Sequence, residues 1–335
     1  KVLRIAPDSG KTAVTPKEVV FKFDEVVSER PASVPSLDAL FLISPRDGDP
    51  RVSWHRSEIS VRPRKGWKAN TAYTITMLPG ISDLRGNIRN TGVVTMFATG
   101  ATFPTSRIHG SVFNWADARP LTKGLIEARP VSDTTTVYVA TTDSVGFYAM
   151  PNLGPGQYLV RAIGDENNNR GLDPREMWDT ASVTLADSAS VDLYAFVHDS
   201  IGSRLQNVMM NDSVTITLNF DNPLSISKPL VAQSIRVRAS DSTDVAIVSA
   251  LPPEADTTAS VRKLSRPIPT RSIVVKLARR LVPGATYRIR VTDAHNLMGV
   301  ARTSESQLVV PKPAAAAAPP VTPPPPRPAY GPIKK

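Results

Sequence analysis

WKANTAYTITMLPGISDLRGN, Trp67 to Asn87, is the stretch whose reading decides the fold. A short run rich in Thr, Tyr and Ile sits between an Asn on one side and a Pro-Gly and an Asp-Leu-Arg-Gly-Asn turn on the other, which reads as one strand of a sheet protein. Working outward, EVVFKFDEVV (Glu18 to Val27) sets Val19, Phe21, Phe23 and Glu25 against Val20, Lys22, Asp24 and Val26, a period of two. DALFLISP and SEISVRPR read as further short strands, and VVTMFATG closes the segment at Gly100. Short strands at this spacing, separated by Pro, Gly, Asn and Asp, predict a β-sandwich over residues 1–103.

The same marks return downstream, so an internal repeat is expected. Phe220-Asp221 in SVTITLNFDNPL answers Phe23-Asp24, and LVPGATYRIRVTDAHNLMG (Leu281 to Gly299) places Tyr287 opposite Tyr73. This predicts a second sandwich over 201–311, with an insertion at Pro252 to Arg271 read as an exposed loop. Between the copies, residues 104–200 hold GQYLVRAI (Gly156 to Ile163), which alternates Tyr158, Val160 and Ala162 against Gln157, Leu159 and Arg161 and reads as a strand. Asp143 to Gly146 and Pro155-Gly156 read as the turns on either side of the preceding strand. The whole is therefore expected to be all-β, three tandem sandwiches in a row. Residues 312–335 follow; from Pro311 on, ten Pro in 25 residues leave nothing to build a core, so an extended, disordered spacer is expected there.

Several of these marks resemble known families. Phe23-Asp24-Glu25, Asn70 to Ile75, the DLRGN of Asp83 to Asn87 and the FATG of Phe97 to Gly100 resemble bacterial Ig-like domains of the S-layer type. The second copy shares the Phe-Asp and Tyr marks but lacks the Gly-Asn of the turn and the closing Phe-x-Thr-Gly. In the middle, Thr142, Asp143, Gly146, Phe147, Leu153, Pro155, Gly156 and Tyr158 resemble the carboxypeptidase regulatory-like or Cna B-type domain. That resemblance implies a seven-stranded transthyretin-like sandwich. The order of the three resembles surface or periplasmic lipoproteins of Bacteroidota-type bacteria. It implies an exported, envelope-associated protein whose contact with a membrane would run only through a lipid anchor upstream of Lys1, in keeping with a mature or trimmed product.

Composition narrows the chemistry. None of the 335 residues is Cys, which removes disulfides, thiolate metal sites and a Cys nucleophile. A net charge of +10 favours acidic surfaces such as phospholipid, lipopolysaccharide or nucleic acid, yet the basic residues are spread thinly, Lys263 to Arg280 being the noticeable cluster. A generally basic solvated surface with no specific nucleic-acid partner is the expectation. The His residues at 55, 109, 198 and 295 have no neighbours at metal-ligand spacing, and neither a Gly-x-Ser-x-Gly elbow nor a Walker-type loop occurs. Asp117 and Asp143 fall in turns, where Asp serves the backbone, and Trp54, Trp67, Trp115 and Trp178 are expected in cores before sugar-stacking is considered. No catalytic residue and no enzyme is predicted.

One motif does carry chemistry. DENNNRGLDPRE, Asp165 to Glu176, puts side-chain oxygens at the first, third, fifth, ninth and twelfth positions of a twelve-residue calcium loop. The predicted ligands are Asp165, Asn167, Asn169, Asp173 and Glu176, with the carbonyl of Gly171 at the seventh place. The sixth position, where such loops turn on Gly, is Arg170. Since a strand precedes it, calcium would here tie off a strand end; the plain alternative is an Asn-rich turn. The expected function is a non-enzymatic envelope scaffold or adhesion-type protein with a calcium-stabilised middle domain, with other envelope proteins or polysaccharide as partners. The competing expectation is a carbohydrate or envelope-polymer binding module that uses loops at one end of a sandwich.

Overall fold

The structure, a computed structural model, describes residues 1–253 and 266–312. The Pro-rich tail from 313 and most of the 252–271 insertion lie outside the described residues, and the expectations for them with it.

The first sandwich is built from β1 (Val2–Ala6), β2 (Val19–Phe23), β3 (Phe41–Ser44), β4 (Arg51–His55), β5 (Glu58–Arg62), β6 (Ala72–Met77) and β7 (Val93–Ala98). One sheet runs β1-β2-β5-β4 and the other β3-β6-β7. The period-two pattern explains the packing: Val19, Phe21 and Phe23 are buried while Lys22 is exposed. Phe21 meets Phe41 of the other sheet with ring centroids 5.3 Å apart, and Trp67, Tyr73 and Phe97 close one end of the core. DALFLISP is not strand throughout: Leu37–Leu40 form a 3-10 turn and the strand starts at Phe41. Residues three apart eclipse in such a turn, so Leu37 and Leu40 both reach the core.

The middle segment contains β8 (Ser106–Asn114), β9 (Leu125–Pro130), β10 (Tyr138–Thr141), β11 (Phe147–Leu153), β12 (Gly156–Ile163), β13 (Met177–Leu185), β14 (Ser188–Ser190) and β15 (Leu193–Val197). Its strands follow one path, β10-β9-β12-β13-β15-β8-β11, with β14 alongside β8. The path folds over on itself because β13 pairs with β12 along its length but with β15 only at Met177 and Trp178. Tyr158, Val160 and Ala162 of β12 point into the core with Ile108, Tyr148 and Leu193.

The last sandwich is built from β16 (Leu205–Met210), β17 (Thr215–Phe220), β18 (Ile235–Ala239), β19 (Asp244–Val245), β20 (Ile247–Leu251), β21 (Ser272–Leu277), β22 (Thr286–His295) and β23 (Ala301–Val309). Its sheets run β16-β17-β21-β20 and β19-β18-β22-β23. Apart from the added β19, that is the order of the first sandwich, and a 3-10 turn (Ala232–Ser234) again precedes the first strand of the second sheet. The two matched tyrosines do the same work. The Tyr73 hydroxyl accepts the Lys68 N–H at 2.7 Å, and the Tyr287 hydroxyl accepts the Val282 N–H at 3.0 Å, each bond reaching back five residues. Tyr73→Phe and Tyr287→Phe should each destabilise their own sandwich by about 1–2 kcal/mol, because a half-buried N–H loses its acceptor while the ring stays in place. Urea unfolding of each single variant checks this; an unchanged midpoint would show that water replaces the hydroxyl.

Candidate functional site

The calcium-type loop joins β12 to β13, at the end of the middle segment nearer the first sandwich. Its predicted ligands do come together. Asp165 Oδ1 accepts the N–H of Asn169 and Oδ2 that of Arg170, both at 3.0 Å. Glu176, the twelfth residue, is buried and accepts the Glu166 N–H at 3.1 Å and the Asp173 N–H at 2.9 Å, one with each oxygen. Asp173 Oδ2 receives the side-chain amides of Asn167 at 2.6 Å and Asn169 at 2.9 Å. The amide oxygens of those two residues accept the N–H groups of Asn169 and Gly171. Burial and the negative charge of Glu176 push the Asp165 carboxyl above its ordinary value, against the two N–H groups that favour its ionised form.

The residue types suit a hard cation, but their arrangement here is that of an internally hydrogen-bonded turn. The Asn NH2 groups now stand against Asp173, and a bound ion would replace them there while the amide oxygens turned inward. Among the described residues, no three His, Asp or Glu side chains are grouped closely enough to hold a metal by themselves. Any binding by this loop would depend on amide and carbonyl oxygens as well.

Arg170 takes the sixth place by adopting the backbone a glycine would supply, with φ at +59°, as does Asn168 at +58°. Its side chain does not enter the ring. It crosses to the first sandwich, where it is 9% exposed and donates to the carbonyls of Ala39 at 2.8 Å and Asp38 at 3.1 Å, with Asp49 at 3.4 Å. Burial pushes its guanidinium pKa down, and the charges of Asp49 and Asp38 oppose that.

A second arginine crosses the other way. Arg46, just past β3, donates to the Arg170 carbonyl at 2.9 Å and to Glu127 Oε1 at 2.6 Å. Glu127, on β9, is 1% exposed and also receives Arg161 and Arg129 on its other oxygen. Burial alone would raise its pKa; the hydrogen bond from Arg161 and the charges of Arg46, Arg161 and Arg129 outweigh that, and the carboxyl lies below its usual value. Backbone joins the same seam: the Arg46 N–H bonds the Val137 carbonyl at 2.8 Å, and the Val139 N–H of β10 bonds Ser44 Oγ at 2.9 Å. An open cleft of about 390 Å³ beside it is lined by Arg46, Asp47, Asp49, Lys65, Asn169 and Arg170 among others.

The middle and last sandwiches are bonded as well. Asn296 Nδ2 donates to the carbonyl of Asp199 across this boundary and to that of Ile201 in its own segment, and Trp115 Nε1 donates to that of Pro267. Arg266 lies over the rings of Tyr194 and Trp115 at 5.1 and 5.8 Å, so this part of the predicted exposed loop packs on its neighbour. The tryptophans are committed to packing: Trp54 donates to the Val27 carbonyl, Trp67 sits on Tyr73, and Trp178 stacks on His198 at 3.7 Å. Asp143 and Asp117 serve their own turns, as the sequence implies.

Comparison with known proteins places the first segment. Residues 1–103 match the family of the bacterial Ig-like domain. No curated protein matches the chain. Among solved structures, the N-terminal part of the bacterial S-layer protein SbsC aligns at 16% identity and a TM-score of 0.27, over 35% of this chain and 26% of that one. The L,D-transpeptidase from Mycobacterium smegmatis aligns at 18% and 0.22, over 56% of this chain and 74% of its own. BcpA, the major pilin subunit of Bacillus cereus, aligns at 8% and 0.22, over 56% and 67%. This chain thus spans about a quarter of the S-layer chain it matches. At such scores nothing about activity follows from these likenesses.

Proposed function

We propose that the chain is a non-enzymatic structural module of the bacterial cell envelope, in which sandwiches at 1–103, 104–200 and 201–311 are held in fixed relation. The observation that carries this is the seam between the first two. Arg46 and Arg170 are exchanged across it, Arg46 ending on the buried Glu127 and Arg170 on the part-buried Asp38 and Ala39 carbonyls, while the Val139 N–H of β10 bonds Ser44 Oγ of β3 and the Arg46 N–H bonds the Val137 carbonyl. Flexible tethers between independent domains do not need buried, charge-assisted bonds; a spacer that must keep its geometry does. In this reading the middle segment is a regulatory-like or Cna B-type domain and the protein is exported.

Calcium belongs to the same reading, bound by Asp165, Asn167, Asn169, Asp173 and Glu176 with the Gly171 carbonyl. The loop that would bind it is the loop that sends Arg170 into the first sandwich, so the ion would stiffen strand end and seam together. Free calcium at a hundred times its dissociation constant should add about 2.7 kcal/mol to the stability of the middle segment. Glu176→Gln should remove most of that gain. Melting curves in calcium and in excess chelator, for both proteins, check it. Indifference to chelator, with no heat on titration, would leave an Asn-rich turn. Solution scattering tests the scaffold separately: one conformation should fit the profile of the folded part, and a required ensemble of domain orientations would refute it.

A further inference from the structure

The outward face of the β19-β18-β22-β23 sheet carries four arginines, in two pairs that come from strands distant in the sequence. Strand register sets Arg236 opposite Arg290 and Arg238 opposite Arg288. Their neighbours Ile235, Val237, Ile289 and Val291 fill the core, so all four arginines leave by the other face. The block is about 5 Å across the strands and about 7 Å along them. Like charges directly opposite one another on paired strands destabilise a sheet.

Counter-charge on this face is incomplete. Asp244 of β19 takes Arg236 at 2.7 and 3.0 Å and Arg238 at 2.9 Å, and Glu305 of β23 lies 3.4 Å from Arg290. Arg288 faces Gln307 across β23 and makes no ion pair with a described residue. Arg279 approaches the same edge and donates to Thr243 Oγ1 at 2.9 Å. The side chains of Arg236 and Arg290 remain more than half exposed, at 58% and 56%.

We infer that this face is a binding surface for an anionic polysaccharide whose sugars carry carboxylates. Guanidinium groups grip carboxylates with paired, planar hydrogen bonds, which suits charges repeated along a polymer. Exposed Thr303, Glu305 and Gln307 along β23 offer further donors and acceptors for hydroxyl groups. Among the described residues the face has no aromatic side chain on which a base could stack, which disfavours a single-stranded nucleic acid. Among the described residues its one large exposed apolar side chain, Val309, is not a wedge that would enter a bilayer. The surface lies on a flat sheet face, away from the sandwich-end loops, and it depends on neither calcium nor the seam.

The test uses the full chain and polygalacturonate, with dextran as the uncharged control. Wild type should bind the first and not the second. Arg288→Gln with Arg290→Gln should weaken binding about tenfold and flatten its salt dependence, with no drop in melting temperature because a like-charge contact is relieved. Lys17→Gln with Arg85→Gln removes the same charge from the first sandwich and should leave affinity unchanged. Failure of wild type to bind at low salt overturns the inference. So does an equal loss in both double variants, which would mean net charge alone. Vesicles of phosphatidylglycerol and phosphatidylcholine are the third arm: binding there, lost with Arg288 and Arg290, without polygalacturonate binding, would reassign the face to lipid.

Discussion

Glu127→Ala is expected to destabilise the middle segment by about 3–5 kcal/mol, the range found when one partner of a buried ion pair is removed. The carboxylate is 1% exposed and gathers Arg46, Arg129 and Arg161, whose side chains are themselves only 21–38% exposed. Taking it away leaves three guanidinium groups without their shared counter-charge, only Arg46 keeping an acceptor in the Arg170 carbonyl. Glu127→Gln should recover part of the loss, since its amide oxygen can accept one hydrogen bond, but it cannot offset the charge. Acid should act through the same group. Its pKa is depressed in the folded state, so the stability it contributes is complete above the ordinary carboxylate range and is lost as pH falls through and below that range. Urea unfolding at neutral and acid pH, followed by tryptophan emission, checks both points: the variant should be weaker at neutral pH and less sensitive to acid than wild type. A loss under about 1 kcal/mol at neutral pH would mean that water screens the arginines and that the seam is held by its backbone bonds.

Much of the fold could be read from local pattern, because each strand buries one face. GQYLVRAI was expected over 156–163 and is β12, and the Phe-Asp and Tyr marks of the two copies fall on matching strands. What could not be read depends on pairing between distant strands. IRVR in β18 and YRIR in β22 each look like an ordinary solvated face; only their register stacks four arginines together. Arg46 sits in a Pro-Arg-Asp-Gly-Asp turn, where a basic residue carries no signal, and its partner Glu127 lies 81 residues on. Spacing alone picks out the oxygen-bearing residues that hydrogen-bond to one another in this loop, whereas Arg170 reads in sequence as a departure from the glycine that calcium loops require. Its second role, 131 residues away on the Ala39 carbonyl, leaves no trace in the local pattern.

That double role gives the most discriminating expectation. Arg170→Gly would put the usual residue at the left-handed position and relieve about 1 kcal/mol of backbone strain. It would also delete charge-assisted bonds to Asp38 and Ala39 worth about 1.5–3 kcal/mol each, so the net result should be a loss of about 3 kcal/mol from the seam. Arg170→Ala should lose about 1 kcal/mol more than the glycine variant, since alanine keeps the strain and restores nothing. Calcium should respond in the opposite sense. Removing a cation that interacts with the Asp165 carboxylate favours a divalent ion, so Arg170→Gly should bind calcium more tightly than wild type while being less stable without it. Calorimetric titration and chelator-controlled melting of the three proteins separate these effects. If Arg170→Gly matches wild type in stability, the arginine adds nothing to the seam. If it is destabilised but gains no calcium affinity, Arg170 is a seam residue only and the loop's resemblance to a cation site ends at its spacing.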